Sequence, residues 1–201
     1  MENSTRGLLI SVSGPSGVGK GTVINELRKR FPELKHSISV TTRSPRGEEK
    51  DGVEYYFRTK EEFEKLIEEG QILEYDNYVG NYYGTPVAPL EEKANNGFDV
   101  LLDITIAGSL ALKSIFDEAV TVFLLPPSFE VLEERLKGRG TESDELVSKR
   151  MAKAREEVLD AVKFDYIVVN DNLEQAVEDI TAIISAEKHK AARLEGIEKN
   201  L

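Results

Sequence analysis

The sequence predicts an α/β domain with a parallel central sheet and helices on both faces, three layers in all. Three observations predict it. Four apolar runs read as buried strands, helical patterns separate them, and a glycine-rich loop follows the first strand and opens the first helix.

The strands come first. LLISV (Leu8 to Val12), DVLLDI (Asp99 to Ile104), VTVFLL (Val120 to Leu125) and YIVV (Tyr166 to Val169) are continuous runs rather than alternating ones. Strands covered on both faces read this way. Val23, Leu27 and Phe31 fall at i, i+4 and i+8 after the loop, which is a helical stripe. Leu173, Ala176, Val177, Ile180 and Ile184 form another, with Asn172 placed to cap it. A right-handed crossover lays the first helix against the sheet.

Two regions break this rhythm. From Ser37 to Tyr83 the chain is rich in Thr, Tyr, Gly and charge, with short extended pieces HSISVTT and VEYYF. Thr59 and Glu62 form a capping box before Phe63, Leu66 and Ile67, and Gly70 ends that helix. This reads as a small mixed lobe inserted into the sheet. From Pro126 to about Asp160 the chain is helical and highly charged, an exposed helical flap. The tail after Ala186 is a charged helix or a frayed end.

Composition narrows the function classes. Of 201 residues, 40% are hydrophobic and 31% charged, and the net charge is −11. That charge argues against a nucleic-acid partner. No apolar run is long enough to span a bilayer, so no membrane is expected. MENSTRG lacks the apolar stretch of a signal peptide, and a cytoplasmic protein is expected. With zero cysteines there are no disulfides or thiolate metal sites. His36 and His189 are expected to be solvated.

GPSGVGKGT, from Gly14 through Pro15, Ser16, Gly17, Val18, Gly19, Lys20 and Gly21 to Thr22, fits a phosphate-binding loop. Glycines let backbone N–H groups turn toward phosphate oxygens, the helix N-terminus adds positive potential, and Lys20 adds a full charge. Such loops usually carry Ser or Thr after the lysine to help hold magnesium. Here that residue is Gly21, with Thr22 one position later. Magnesium keeps several waters in most sites, so backbone and water can serve. The loop alone indicates a nucleoside triphosphate and does not name the acceptor.

The inserted lobe supplies a second cluster. Arg43 and Arg46 flank a proline in TTRSPR; Tyr55, Tyr56 and Glu74 follow, then GNYYGT with Tyr82, Tyr83 and Thr85. Two guanidiniums with tyrosine hydroxyls suit a phosphate monoester dianion. A carboxylate such as Glu74 can accept from the adjacent N–H and NH2 donors of guanine, which adenine does not present.

SVSGPSGVGKGT, SVTTRSPR, GNYYGTP, LLPPS, GRGTESDE and IVVNDNL, in this order and spacing, resemble the guanylate kinase family over roughly Arg6 to Glu187. The resemblance implies a P-loop nucleoside monophosphate kinase, an enzyme moving the γ-phosphoryl of ATP to GMP with Mg2+. It implies one domain over 5–188: a core of 5–36, 97–125 and 161–188, a GMP-binding lobe over 37–96, and a lid over 126–160. Residues 189–201 are a charged tail. It places the GMP phosphate at Arg43, Arg46, Tyr55 and Tyr83. The guanine falls at Ser39, Glu74, Gly84, Thr85 and Thr105. The triphosphate falls on Gly14 to Thr22, with Arg135, Arg139 and Asn170 also on the ATP side. Lys20, Arg43, Arg139, Arg150 and Asp103 are the implied catalytic residues. No dedicated metal site is implied; Mg2+ arrives with ATP near Gly21, Thr22 and Asp103. ATP and GMP are the partners, in a monomer or small homo-oligomer.

LLDITIAG departs from the family pattern. The family usually carries an acidic residue where Thr105 stands and a longer polar residue where Ala107 stands. The consequence expected is weaker or less selective GMP binding, with the reaction class intact. Two alternatives stay open: a binding module with weakened catalysis, and a monophosphate kinase with another acceptor preference.

Overall fold

A computed structural model of the protein describes residues 6–138 and 143–194. The chain begins with β1 (Leu9–Ser13), α1 (Lys20–Arg30), β2 (Lys35–His36), β3 (Val40–Thr41), β4 (Tyr56–Phe57) and α2 (Lys60–Glu68). It continues with β5 (Ile72–Tyr78), β6 (Asn81–Pro86), α3 (Val87–Asn95), β7 (Val100–Asp103) and α4 (Ile106–Ile115). Then come β8 (Val120–Leu125), α5 (Phe129–Lys137), α6 (Asp144–Glu157), β9 (Tyr166–Val169) and α7 (Leu173–Lys188).

The central sheet is five-stranded, in the order β2-β7-β1-β8-β9, and every pairing is parallel. Both faces are covered, as the continuous apolar runs require. Ile10, Val12, Val122 and Leu124 pack with Val23 and Leu27 of α1 and Val177 and Ile180 of α7. On the other face Leu9, Val100 and Leu102 pack with Leu90 of α3 and Leu112 of α4. So α3 lies on the central sheet, and the small lobe's own strands end at Pro86. The four expected strands are present within a residue or two. The fifth, β2, spans two residues, too few to show a pattern.

The small lobe carries a second sheet, β4-β3-β6-β5. Its helix α2 starts on the expected capping box: Glu62 N donates to Thr59 Oγ1 at 3.1 Å, and Thr59 N to Glu62 Oε2 at 2.7 Å. Gly70 ends the helix at φ 67. The longest element of the lobe is the hairpin β5–β6, which the sequence reading did not draw. Its two-residue turn is Val79–Gly80, both at positive φ (51 and 77), between the paired Tyr78 and Asn81. Valine is a poor sequence signal for such a turn.

The flap is two helices with a core of their own: Leu132, Leu136, Val147, Met151 and Ala154 are buried together. The tail does not fray at Ala186. Helix α7 runs to Lys188, capped by Asn172, which accepts from Gln175 N at 3.1 Å. Arg193 then donates to the carbonyls of Arg6 and Glu118, each at 3.2 Å.

One histidine corrects the sequence reading. His189 is exposed, but His36 is half-buried on β2 and its Nδ1 is enclosed without a hydrogen-bond partner. Burial first, then the charges of Arg28 and Lys93, hold its pKa below the ordinary value. Lys93 Nζ meanwhile donates to the His36 carbonyl at 2.7 Å, which blunts the open edge of the sheet.

Candidate active site

The loop between β1 and α1 wraps a cavity of about 350 Å³ lined by Gly14 to Gly21 with Thr105, Ile106 and Glu157. Its shape depends on glycine at defined points. Gly17 and Gly19 sit at φ 89 and 96, in the left-handed region. A Cβ on Gly19 would stand 2.7 Å from Asn170 Nδ2. Gly21 differs, for an added Cβ there meets nothing within 4 Å. No steric demand selects glycine at that position.

Lys20 opens α1 and reaches back to the end of β7. Its Nζ donates to the Ile104 carbonyl at 2.9 Å and lies 3.0 Å from Asp103 Oδ1. The ammonium is thus held at the C-terminal edge of the sheet, where ligands of open α/β folds bind.

Asn170 holds the loop from behind. It is buried, and its Nδ2 donates to the Val18 carbonyl at 2.8 Å. Arg135 of the flap donates to the carbonyls of Asn170 (2.9 Å) and Val18 (3.3 Å). It therefore grips backbone at the loop, although glutamates surround it in sequence. Arg135, Asn170, Thr22, Asp171 and Leu173 line a neighbouring cavity of about 290 Å³. Of the residues expected near magnesium, Gly21 lines the first cavity, Thr22 the second, and Asp103 neither. Arg150 stands half-buried on α6, and Arg139 lies outside the described residues.

The lobe gathers its own cluster. Arg43 sits over the rings of Tyr55 (5.4 Å) and Phe57 (5.8 Å), and Tyr55 meets Tyr83 edge to face. Its two terminal nitrogens donate to Glu49, NH1 to Oε2 and NH2 to Oε1, both at 3.0 Å. Arg46 N also donates to Glu49 Oε2, at 2.7 Å. These bonds, Arg43 first, hold the Glu49 carboxyl below its usual range; the same bond, with help from Tyr83 and against the opposing effect of burial, leaves the Arg43 pKa raised. The sequence reading missed Glu49. Its only signal is its place six residues after Arg43 in an irregular loop, which no periodicity marks. The Arg46 side chain is exposed, Ser39 is half-buried and Thr85 is buried on β6. A Cβ on Gly84 would meet the Glu74 carbonyl at 2.9 Å, so glycine there allows the two strands to close up.

Glu74 and Thr105 join the lobe to the core. Thr105 N donates to Glu74 Oε2 at 2.8 Å, and Thr105 Oγ1 bonds the same oxygen. Thr105 is also the N-cap of α4, accepting from Gly108 N at 3.0 Å. Since Thr105 lines the loop cavity as well, the two clusters share a wall.

A parallel sheet, a glycine loop with a fixed lysine, and an arginine–tyrosine cluster in the inserted lobe define a P-loop phosphotransferase of the nucleotide-binding class. The family model for guanylate kinase matches residues 6–187. The chain is 48% identical over 189 residues to a guanylate kinase of Shouchella clausii, covering 94% of this chain and 92% of the relative. It is 50% identical over 200 residues to one of Streptococcus agalactiae, covering 98% and 95%. Among solved structures, the guanylate kinase of Anaplasma phagocytophilum superposes with a TM-score of 0.68 at 32% identity, covering 97% of this chain and 93% of that one. The chain belongs to the guanylate kinase family.

Proposed function

We infer that the protein transfers the γ-phosphoryl group of ATP to GMP, giving ADP and GDP, as a cytoplasmic enzyme of purine nucleotide metabolism. The observation that carries this reading is the shared wall: Thr105 lines the phosphate-loop cavity and bonds Glu74 of the lobe. Two anion-binding clusters joined through the Thr105–Glu74 contact suit a reaction between two nucleotides.

The triphosphate lies along Gly14 to Thr22 with Lys20 at its β/γ end, and Arg135 and Asn170 toward the base. The GMP phosphate meets Arg43, Arg46, Tyr55 and Tyr83, and the guanine meets Ser39, Glu74, Gly84 and Thr85. A phosphate oxygen of GMP forms the new bond to the γ-phosphorus as the bond to the β-bridging oxygen breaks. That oxygen already carries charge near neutral pH, so no strong base is needed. Positioning and positive charge do the rest. Arg139 and Arg150 of the lid supply charge and exclude water on closure. Among the described residues no group of three His, Cys, Asp or Glu gathers to hold a metal. The donors present fit a Mg2+ that comes with the triphosphate: Gly21, Thr22 and Asp103 would stand beside it, and it would supply neutralisation of the phosphate charge. Among the described residues no helix is long and apolar enough to cross a membrane. The state is a monomer or small homo-oligomer.

A coupled ADP-release assay with ATP, magnesium and GMP, with Lys20→Ala as control, tests the reading. Turnover that vanishes in the control is expected. GMP binding without any ADP release would make the protein a binding module instead.

A further inference from the structure

We propose that the acceptor site takes the hypoxanthine nucleotide IMP as well as GMP, because Thr105 leaves Glu74 one oxygen for the base. This rests on the reading of Glu74 as the residue that meets the base.

A carboxylate offers about two acceptor positions on each oxygen. Both on Glu74 Oε2 are filled from within the protein, by Thr105 N at 2.8 Å and by Thr105 Oγ1. The arrangement is braced. Thr105 Oγ1 accepts from Gly108 N at 3.0 Å, which directs its single hydroxyl proton toward Glu74. Any Cβ on Gly108 would collide with the Glu74 carboxylate, so glycine there lets the carboxylate rest on the first turn of α4. Glu74 is therefore seated on the core through Oε2, and Oε1 is the oxygen left for a ligand.

Oε1 can take the N1–H that guanine and hypoxanthine share. The 2-amino group of guanine then finds no vacant position on Oε2, so Glu74 gains little from it. Adenine turns an unprotonated N1 toward the carboxylate, and xanthine turns a second carbonyl toward it; both are repelled. Thr105 is a positioning residue here: it sets which oxygen of Glu74 faces the base.

The test measures equilibrium dissociation constants of GMP, IMP, AMP and XMP by calorimetry, and kcat/KM for each with ATP and magnesium. IMP is expected within about tenfold of GMP, with AMP and XMP at least roughly a hundredfold weaker, whereas a site with a dedicated partner for a substrate N–H rejects the analogue lacking it by about 10⁴-fold. IMP binding more than about tenfold weaker than GMP overturns the proposal. Absent turnover with GMP counts against the kinase reading alone, since the binding ratio is read separately. Thr105→Val removes the hydroxyl and reopens one position on Oε2, and it is expected to raise the GMP/IMP ratio about fivefold or more. Thr105→Ser keeps the hydroxyl and the helix cap and keeps the ratio. A ratio unchanged in Thr105→Val, with circular dichroism showing a folded protein, would overturn the role given to Thr105.

Discussion

Arg43 and Glu49 meet fork to fork, each terminal nitrogen of the guanidinium donating to a different carboxylate oxygen at 3.0 Å. The Arg43 side chain is only 11% exposed, and with both bonds to Glu49 the direction of its guanidinium is fixed before any ligand arrives. Glu49→Gln keeps one acceptor and loses the paired geometry. The KM for GMP is expected to rise roughly tenfold with a smaller change in kcat, since an ordered binding contact is lost. The Arg43 guanidinium, and then the Arg46 N–H, also hold the Glu49 carboxyl below its ordinary value of 4.5 in the folded protein. Its contribution to stability is therefore complete above about pH 4.5 and is lost as pH falls through the lower folded value. Acid unfolding of Glu49→Gln should accordingly show a shallower pH dependence below pH 4.5, read by circular dichroism.

The loop glycines separate by position. Gly19→Ala places a Cβ at φ 96 and 2.7 Å from Asn170 Nδ2. A loss of about 1–3 kcal/mol in stability is expected, together with weaker ATP binding. Gly21→Ser points into open space, and a helical serine replaces a helical glycine. Stability should be unchanged or higher by a few tenths of a kcal/mol. Urea melts of the two variants check both expectations; a destabilised Gly21→Ser would contradict the open geometry.

Val79 carries the one non-glycine positive φ among the described residues, at 51. A β-branched side chain is strained there, and asparagine is the favoured partner of glycine in a two-residue hairpin turn. Val79→Asn should stabilise the protein by about 1 kcal/mol, seen as a Tm higher by a few degrees. Val79 is 80% exposed, so no packing is lost to offset the gain.

Tyr166 donates its hydroxyl to Glu187 Oε1 at 2.5 Å, and Glu187 is only 3% exposed. The bond to Glu187, then burial, pushes the phenol up to about 12. Because the folded pKa lies above the ordinary value of 10.0, this contribution is complete below pH 10 and is lost as pH rises through about 12. In a spectrophotometric titration of the seven tyrosines, Tyr166 should ionise late, and Tyr166→Phe should remove that step. The variant should be less stable by about 1.5–3 kcal/mol, as for a lost bond to a charged group.

What the sequence determined by itself is what short stretches of chain dictate. The four long strands follow from unbroken apolar runs, and the helix starts at Thr59 and Asn172 from side chains that cap within three residues. The phosphate loop follows from glycines at set spacing, because its backbone turns at Gly17 and Gly19 lie at positive φ, where other residues are strained. The arginines, tyrosines and Glu74 of the lobe are legible as a candidate cluster from their chemistry, and the family resemblance assigns them roles without placing them. The tertiary structure alone decided β2, the β5–β6 hairpin, the grip of Glu49 on Arg43, and the seating of Glu74 on Thr105, 31 residues away. The reason is physical. A two-residue edge strand or a hydrogen bond between distant segments leaves no periodicity in the chain. Which oxygen of a carboxylate remains for a ligand is settled only when the fold brings its other partners to it.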